Sequence, residues 1–144
     1  AYHKVGIDNV VAIFGSSLSE EQADLLIRLS VDVTLSFDND TAGQKATAKA
    51  IKLLRKRVKN KLLGLSTHNE LEILEANNFE LDMIGLGAYK ATNTKDISNI
   101  LGEKLQYLAK MSKHPVCAIG GVKVDDIIKN IKFNCVGSAI LNEN

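Results

Sequence analysis

Cysteine is scarce in this chain, two of 144 residues. Cys117 and Cys135 each stand in an apolar run, with no Cys-x-x-Cys spacing and no His or Cys cluster beside them. That speaks against a metal or redox motif and fits buried free thiols in a reducing compartment. No apolar run approaches the roughly 20 residues of a membrane span, and Ala1-Tyr2-His3-Lys4 does not begin a secretory leader, so a cytoplasmic, membrane-free protein is expected. Proline occurs once, at Pro115, where it marks a boundary before a strand. Charge of one sign is not in excess: the formal net charge is +1, which gives no reason to expect strong non-specific nucleic-acid binding.

What is present is an alternation. Short β-branched or aliphatic runs, at about 10–15, 31–37, 61–66, 82–87, 115–120 and 134–139, alternate with stretches of helical periodicity. This is the pattern of repeated βα units on a parallel sheet, so the fold class expected is α/β with about six strands. With 45% hydrophobic content the length suits one α/β domain over 1–144. Helix starts are marked by Ser19 with Gln22 in a capping-box pattern, by Asp40 or Thr41, by Asn69, and by Ser98. Asp125 and Asp126 favour the first turn of a short fifth helix. Between Thr41 and Asn69 all eight charged residues are Lys or Arg, and Lys45, Lys49, Lys52 and Lys56 share one helix face, expected to be a solvated outer surface.

Several residues carry candidate chemistry. Asp38 and Asp40 flank Asn39, so in extended geometry their carboxylates share a side and suit Mg²⁺. Lys95 supplies a cation, Thr92 and Thr94 supply hydroxyls, and glycines recur toward the expected strand ends at Gly15, Gly64, Gly85, Gly87, Gly120, Gly121 and Gly137. Such groups suit a phosphate at the C-terminal edge of a parallel sheet. His68 and His114 lie at strand or helix ends with no paired carboxylate in view and are expected to be surface polar residues.

Two resemblances follow, meeting at a seam near Lys59 and Asn60. Val10-Val11-Ala12-Ile13-Phe14-Gly15 and Leu35-Ser36-Phe37-Asp38-Asn39-Asp40-Thr41-Ala42-Gly43-Gln44-Lys45 resemble the Toprim domain of bacterial DNA primases, over about residues 1–57. That resemblance implies Mg²⁺ at Asp38 and Asp40, although the acidic Glu of the family's first strand has no counterpart here. Gly64-Leu65-Ser66-Thr67-His68, Ile84-Gly85-Leu86-Gly87, Thr92-Asn93-Thr94-Lys95, Ala118-Ile119-Gly120-Gly121-Val122 and Val136-Gly137-Ser138-Ala139-Ile140 resemble the C-terminal half of a thiamine-phosphate-synthase barrel, over 62–141. This second resemblance implies that Ser66, Thr92, Thr94 and Lys95 hold the pyrophosphate of a pyrimidine substrate. It further implies that Gly120, Gly121, Gly137 and Ser138 cradle the phosphate of a thiazole substrate. The Mg²⁺ carboxylates of that family come from the first half of its barrel.

A TIM barrel takes about 250 residues, so eight strands are not expected from this chain alone. An open Rossmann- or Toprim-like sheet is slightly preferred, with an incomplete TIM barrel completed by a homodimer as the alternative. The first expectation for function is a recombined or engineered protein joining two fragments, 1–60 and 61–144, without efficient catalysis but retaining phosphate binding. The alternatives are a thiamine-phosphate-synthase-type transferase and an Mg²⁺-dependent nucleotide or nucleic-acid binder, the last disfavoured by the near-neutral charge.

Overall fold

The computed structural model describes residues 11–13, 15, 17–29, 33–38, 40–91, 100–126, 128 and 131–134. Its contacts divide the chain into two compact units, Ala1–Lys59 and Asn60–Asn144.

In the first unit, helix α1 spans Glu20–Arg28 and helix α2 spans Thr41–Arg57. The capping box forms as the sequence predicts: the Gln22 amide donates to Ser19 Oγ at 3.2 Å, and the Ser19 amide donates to Gln22 Oε1 at 2.9 Å. Both orphan donors at the helix start are thereby satisfied. Arg57, in the last turn of α2, donates to Asp24 and Glu20 of α1, each at 2.8 Å. Beneath these contacts Leu18, Ala23 and Ala50 form a small buried cluster, with Ile13, Leu26, Leu35, Phe37, Leu53 and Leu54 packed against it. Residues 11–13, 15 and 33–37, the described parts of the first two expected strands, pair into no sheet. They contribute alternate side chains to the cluster, which explains why they read as strands. Lys45, Lys49, Lys52 and Lys56 are exposed, as expected of an outer face.

The second unit carries a parallel sheet. Its described strands are β1 (Gly64–Thr67), β2 (Met83–Leu86), β3 (Val116–Ala118) and β4 (Phe133–Asn134), in that spatial order. Helix α3 (Glu70–Ala76) lies between β1 and β2 in sequence, and α4 (Lys104–Ala109) between β2 and β3. Every strand lies beside its sequence neighbour, the stepwise winding of a barrel; a doubly wound sheet reverses direction at a switch point. The strand order therefore agrees with the partial-barrel alternative. Among the described residues four strands stand where six were expected, and residues 135–139 of the sixth lie outside them.

Ile73, Ile84, Leu86, Leu105 and Val122 are fully buried and form much of this unit's interior. Buried Thr67 donates its hydroxyl to the Gly85 carbonyl at 3.0 Å, so no polar group is left unsatisfied there. Register is fixed at the entry to β1 and β2: the Leu63 amide donates to Asp82 Oδ2 at 2.7 Å, while the Asp82 amide donates to the Leu63 carbonyl at 2.9 Å. Asn69 caps α3 as its position predicts, accepting from the Glu72 amide at 2.9 Å. Ser98 lies outside the described residues, and the described start of α4 at Lys104 has no side-chain cap. Asp125 and Asp126 begin no helix among the described residues; Asp126 is instead engaged by Lys90 and by the Lys123 amide.

Candidate functional site

Because the four strands run parallel, their C-terminal ends share one edge, and the loops leaving that edge carry the candidate chemistry. β1 ends at Thr67, after the exposed Ser66. Gly64 opens that strand rather than closing it, since β1 starts three residues later than expected. The chain leaves β2 through Gly87, Ala88, Tyr89 and Lys90, and β3 through Ile119, Gly120 and Gly121.

The last two loops are laced together. The Tyr89 amide donates to the carbonyls of Ile119 at 2.9 Å and Gly120 at 3.0 Å, and the Lys90 amide donates to the Gly120 carbonyl at 3.0 Å. Gly120 and Gly121 have φ of +79° and +66°, the left-handed region that favours glycine. A Cβ on Gly120 would lie 2.7 Å from Ala88 Cβ, and one on Gly121 would lie 2.7 Å from the Lys90 carbonyl oxygen. The paired glycines thus meet both a turn requirement and a close backbone approach.

Two charged residues complete the edge: Asp126, expected from the sequence at a helix start, and Lys90, which sequence reasoning did not single out. Lys90 Nζ donates to Asp126 Oδ1, while Asp126 Oδ2 accepts from the Lys123 amide at 2.9 Å. The Asp126 carbonyl accepts from Asn134 Nδ2 of β4 at 2.8 Å. The hydrogen bond from Lys90, then that from the Lys123 amide, holds the Asp126 carboxyl below its ordinary value, and the Asp126 carboxylate raises the Lys90 ammonium. The signs set a window. Asp126, with its folded value lowered, supports the fold above the ordinary aspartate value of about 3.9 and loses that support as pH falls through its folded value. Lys90, with its folded value raised, supports the fold below about 10.4 and loses that support as pH rises through its folded value. The pair is therefore expected to be intact from mildly acidic to mildly alkaline pH, with Lys90 Nζ and Asp126 carboxyl NMR shifts flat across that range.

His68 is not without a carboxylate, as expected, but sits against one. Its Nδ1 lies 2.9 Å from Glu72 Oε2, which also accepts from the His68 amide at 2.8 Å. Glu72 follows at i+4 in the first turn of α3, a spacing that could have revealed it. His114 is half-buried, with Nε2 3.1 Å from the Ala76 carbonyl oxygen. Cys117 is buried, whereas Cys135 lies outside the described residues.

Of the expected phosphate ligands, the structure brings Ser66, Gly120 and Gly121 to one end of the sheet. Thr92, Thr94, Lys95, Gly137 and Ser138 lie outside the described residues. Asp38 and Asp40 belong to the other unit. Asp40 caps α2, its Oδ1 accepting from the Gly43 amide at 2.7 Å, and Gly43 packs against the Asp38 backbone. The spacing Asp38, Asp40, Gly43 is accounted for by this turn. Among the described residues no three of His, Cys, Asp and Glu gather as metal ligands. Asp40→Ala is expected to cost about 1 kcal/mol of stability and Asp40→Asn only a few tenths, since asparagine caps as well. Urea unfolding followed by circular dichroism measures both.

The model of the family described as thiamine monophosphate synthase matches residues 10–143. The chain is 29% identical over 114 residues to a thiamine-phosphate synthase of Persephonella marina, covering 78% of this chain and 54% of that protein. It is 49% identical over 53 residues to a DNA primase of Clostridium acetobutylicum, covering 37% of this chain and 9% of that protein. A solved thiamine phosphate pyrophosphorylase from Pyrococcus furiosus has a similar fold, with TM-score 0.59 and 23% identity over 83% of this chain and 55% of that one. The chain thus spans about half the length of the synthases it matches, and the primase likeness is partial. The family match extends across the Lys59–Asn60 seam. This overturns the expectation of a joined, non-catalytic protein: residues on both sides of the seam belong to one family's pattern. Among the described residues, no helix is long and apolar enough to cross a membrane.

Proposed function

Since the chain belongs to the thiamine monophosphate synthase family, we propose that it carries the phosphate-binding strand ends of a thiamine-phosphate-synthase-type transferase, which couples a pyrimidine pyrophosphate to a thiazole phosphate. The observation that carries this reading is the pair of left-handed glycines, Gly120 and Gly121, at the C-terminal end of β3 within the family match. In this reading Ser66, Thr92, Thr94 and Lys95 take the pyrophosphate, the lysine neutralising charge and the hydroxyls donating. Gly120, Gly121, Gly137 and Ser138 offer backbone and hydroxyl donors to the second phosphate. Its partners are accordingly phosphorylated small molecules.

Mg²⁺, which the resemblance implies, does not fit Asp38 and Asp40 well. One carboxylate is committed to a helix cap, and among the described residues no further acidic, His or Cys group joins them.

The test is formation of thiamine phosphate from the two substrates, together with calorimetric titration by inorganic pyrophosphate. Product is expected with the unaltered protein, and Lys95→Ala should weaken pyrophosphate binding about tenfold by removing a charge-assisted contact. Neither product nor pyrophosphate binding by the folded protein would overturn the reading. Light scattering tests the homodimer that belongs to it, and a monomer at every concentration would remove that part.

A further inference from the structure

Lys90 stands two residues before Thr92, on the loop leaving β2, yet its ammonium is turned to Asp126 beyond the glycine turn of β3. The carboxylate it meets is itself held: the Asp126 side chain is 16% exposed, its second oxygen accepts from the Lys123 amide at 2.9 Å, and its carbonyl accepts from Asn134 at 2.8 Å. Lys90, more exposed at its side chain, is held as well. Its amide donates to the Gly120 carbonyl, its own carbonyl lies against Gly121, and its ammonium stands 5.1 Å from the Tyr89 ring centroid. A lysine serving a phosphate directly would keep its charge available. Here an aspartate already neutralises it, so its service is to hold two loops together.

We propose that Lys90 and Asp126 are a positioning pair, whose contact locks the loop after β2 onto the glycine turn after β3 and so pre-arranges the backbone of Gly120 and Gly121 for the second phosphate. The inference rests on the proposed phosphate site and adds two residues that act on it without touching the ligand. Holding both loops before binding spares the ligand the cost of ordering them.

The test uses Lys90→Met, Lys90→Arg, Asp126→Asn and the double variant Lys90→Met/Asp126→Asn. Two readouts are taken: the dissociation constant for inorganic phosphate, and hydrogen exchange at the amides of residues 89 and 90, which donate to the Ile119 and Gly120 carbonyls. Lys90→Met and Asp126→Asn should each weaken phosphate binding about tenfold, the double variant no further, and Lys90→Arg should restore it to within about twofold. Exchange at both amides should quicken while the amides of β1 and β2 stay protected. Unaltered affinity in both single variants overturns the proposal, as does additivity in the double variant. If the unaltered protein binds neither phosphate nor pyrophosphate, the function proposed above fails instead. The pair is then judged by exchange alone: faster exchange at the amides of residues 89 and 90 supports the lock, and unchanged exchange overturns it. Should Lys90→Met fail to fold, Asp126→Asn carries the same two readouts.

Discussion

Replacing Gly43 with alanine should lower the stability of the Ala1–Lys59 unit by about 3 kcal/mol, the sum of an overpacking cost and a weakened helix cap. An ideal Cβ at this position would lie 1.8 Å from the Asp38 carbonyl oxygen and 2.8 Å from its carbonyl carbon. Both are backbone atoms, so no rotamer change relieves the contact, and either the helix start or the segment before it must move. The Gly43 amide is also the donor that Asp40 Oδ1 accepts at 2.7 Å, so movement there loosens the cap as well. Chemical unfolding monitored by helix content measures the effect. A change below about 1 kcal/mol would mean that the close approach of Asp38 to α2 is not a feature of the folded protein.

Gly121→Ala is expected to cost about 3 kcal/mol in the second unit and to abolish binding of inorganic phosphate, the probe of the second phosphate's cradle. Two terms add: a side chain at φ +66° adopts a conformation that disfavours it by about 1–2 kcal/mol, and its Cβ would lie 2.7 and 2.8 Å from the carbonyl oxygens of Lys90 and Ala91. Gly102→Ala is the control. Gly102 also has positive φ, +50°, but nothing lies within 4 Å of an added Cβ. It should cost only the conformational term, about 1 kcal/mol, and leave binding unchanged. Equal effects at Gly102 and Gly121 would show that backbone conformation alone, and no close approach of the two loops, explains the paired glycines.

Much of the fold was legible because local chemistry decides it. Ser19 with Gln22, Asp40 and Asn69 each announced a helix start that the structure keeps, and four of the expected strands appear within a few residues of their runs. The parallel alternation was legible for the same reason. What the sequence could not distinguish was a strand from an extended segment whose alternate side chains dock on helices, as at Leu35 and Phe37. Nor could it separate a metal-binding pair of aspartates from a turn that caps a helix, since both place Asp38 and Asp40 two apart. In the candidate site, the glycine turn was visible from Gly120-Gly121. Lys90 and Asp126 were not, because their partnership spans two loops and no local pattern records it. The synthase family was legible in the second segment; its extension across Lys59 and Asn60 was not, because the first segment read as primase-like, a likeness the chain also carries in part.

The stepwise order of the four strands has a bearing on how this unit assembles. Each pairing, β1 with β2, β2 with β3 and β3 with β4, closes over one connecting segment and never over a neighbour's. Contact order stays low for a parallel sheet, and each closure demands little chain entropy beyond the last. Growth by successive addition is thus open to this polypeptide, each docked strand offering its free edge as the template for the next.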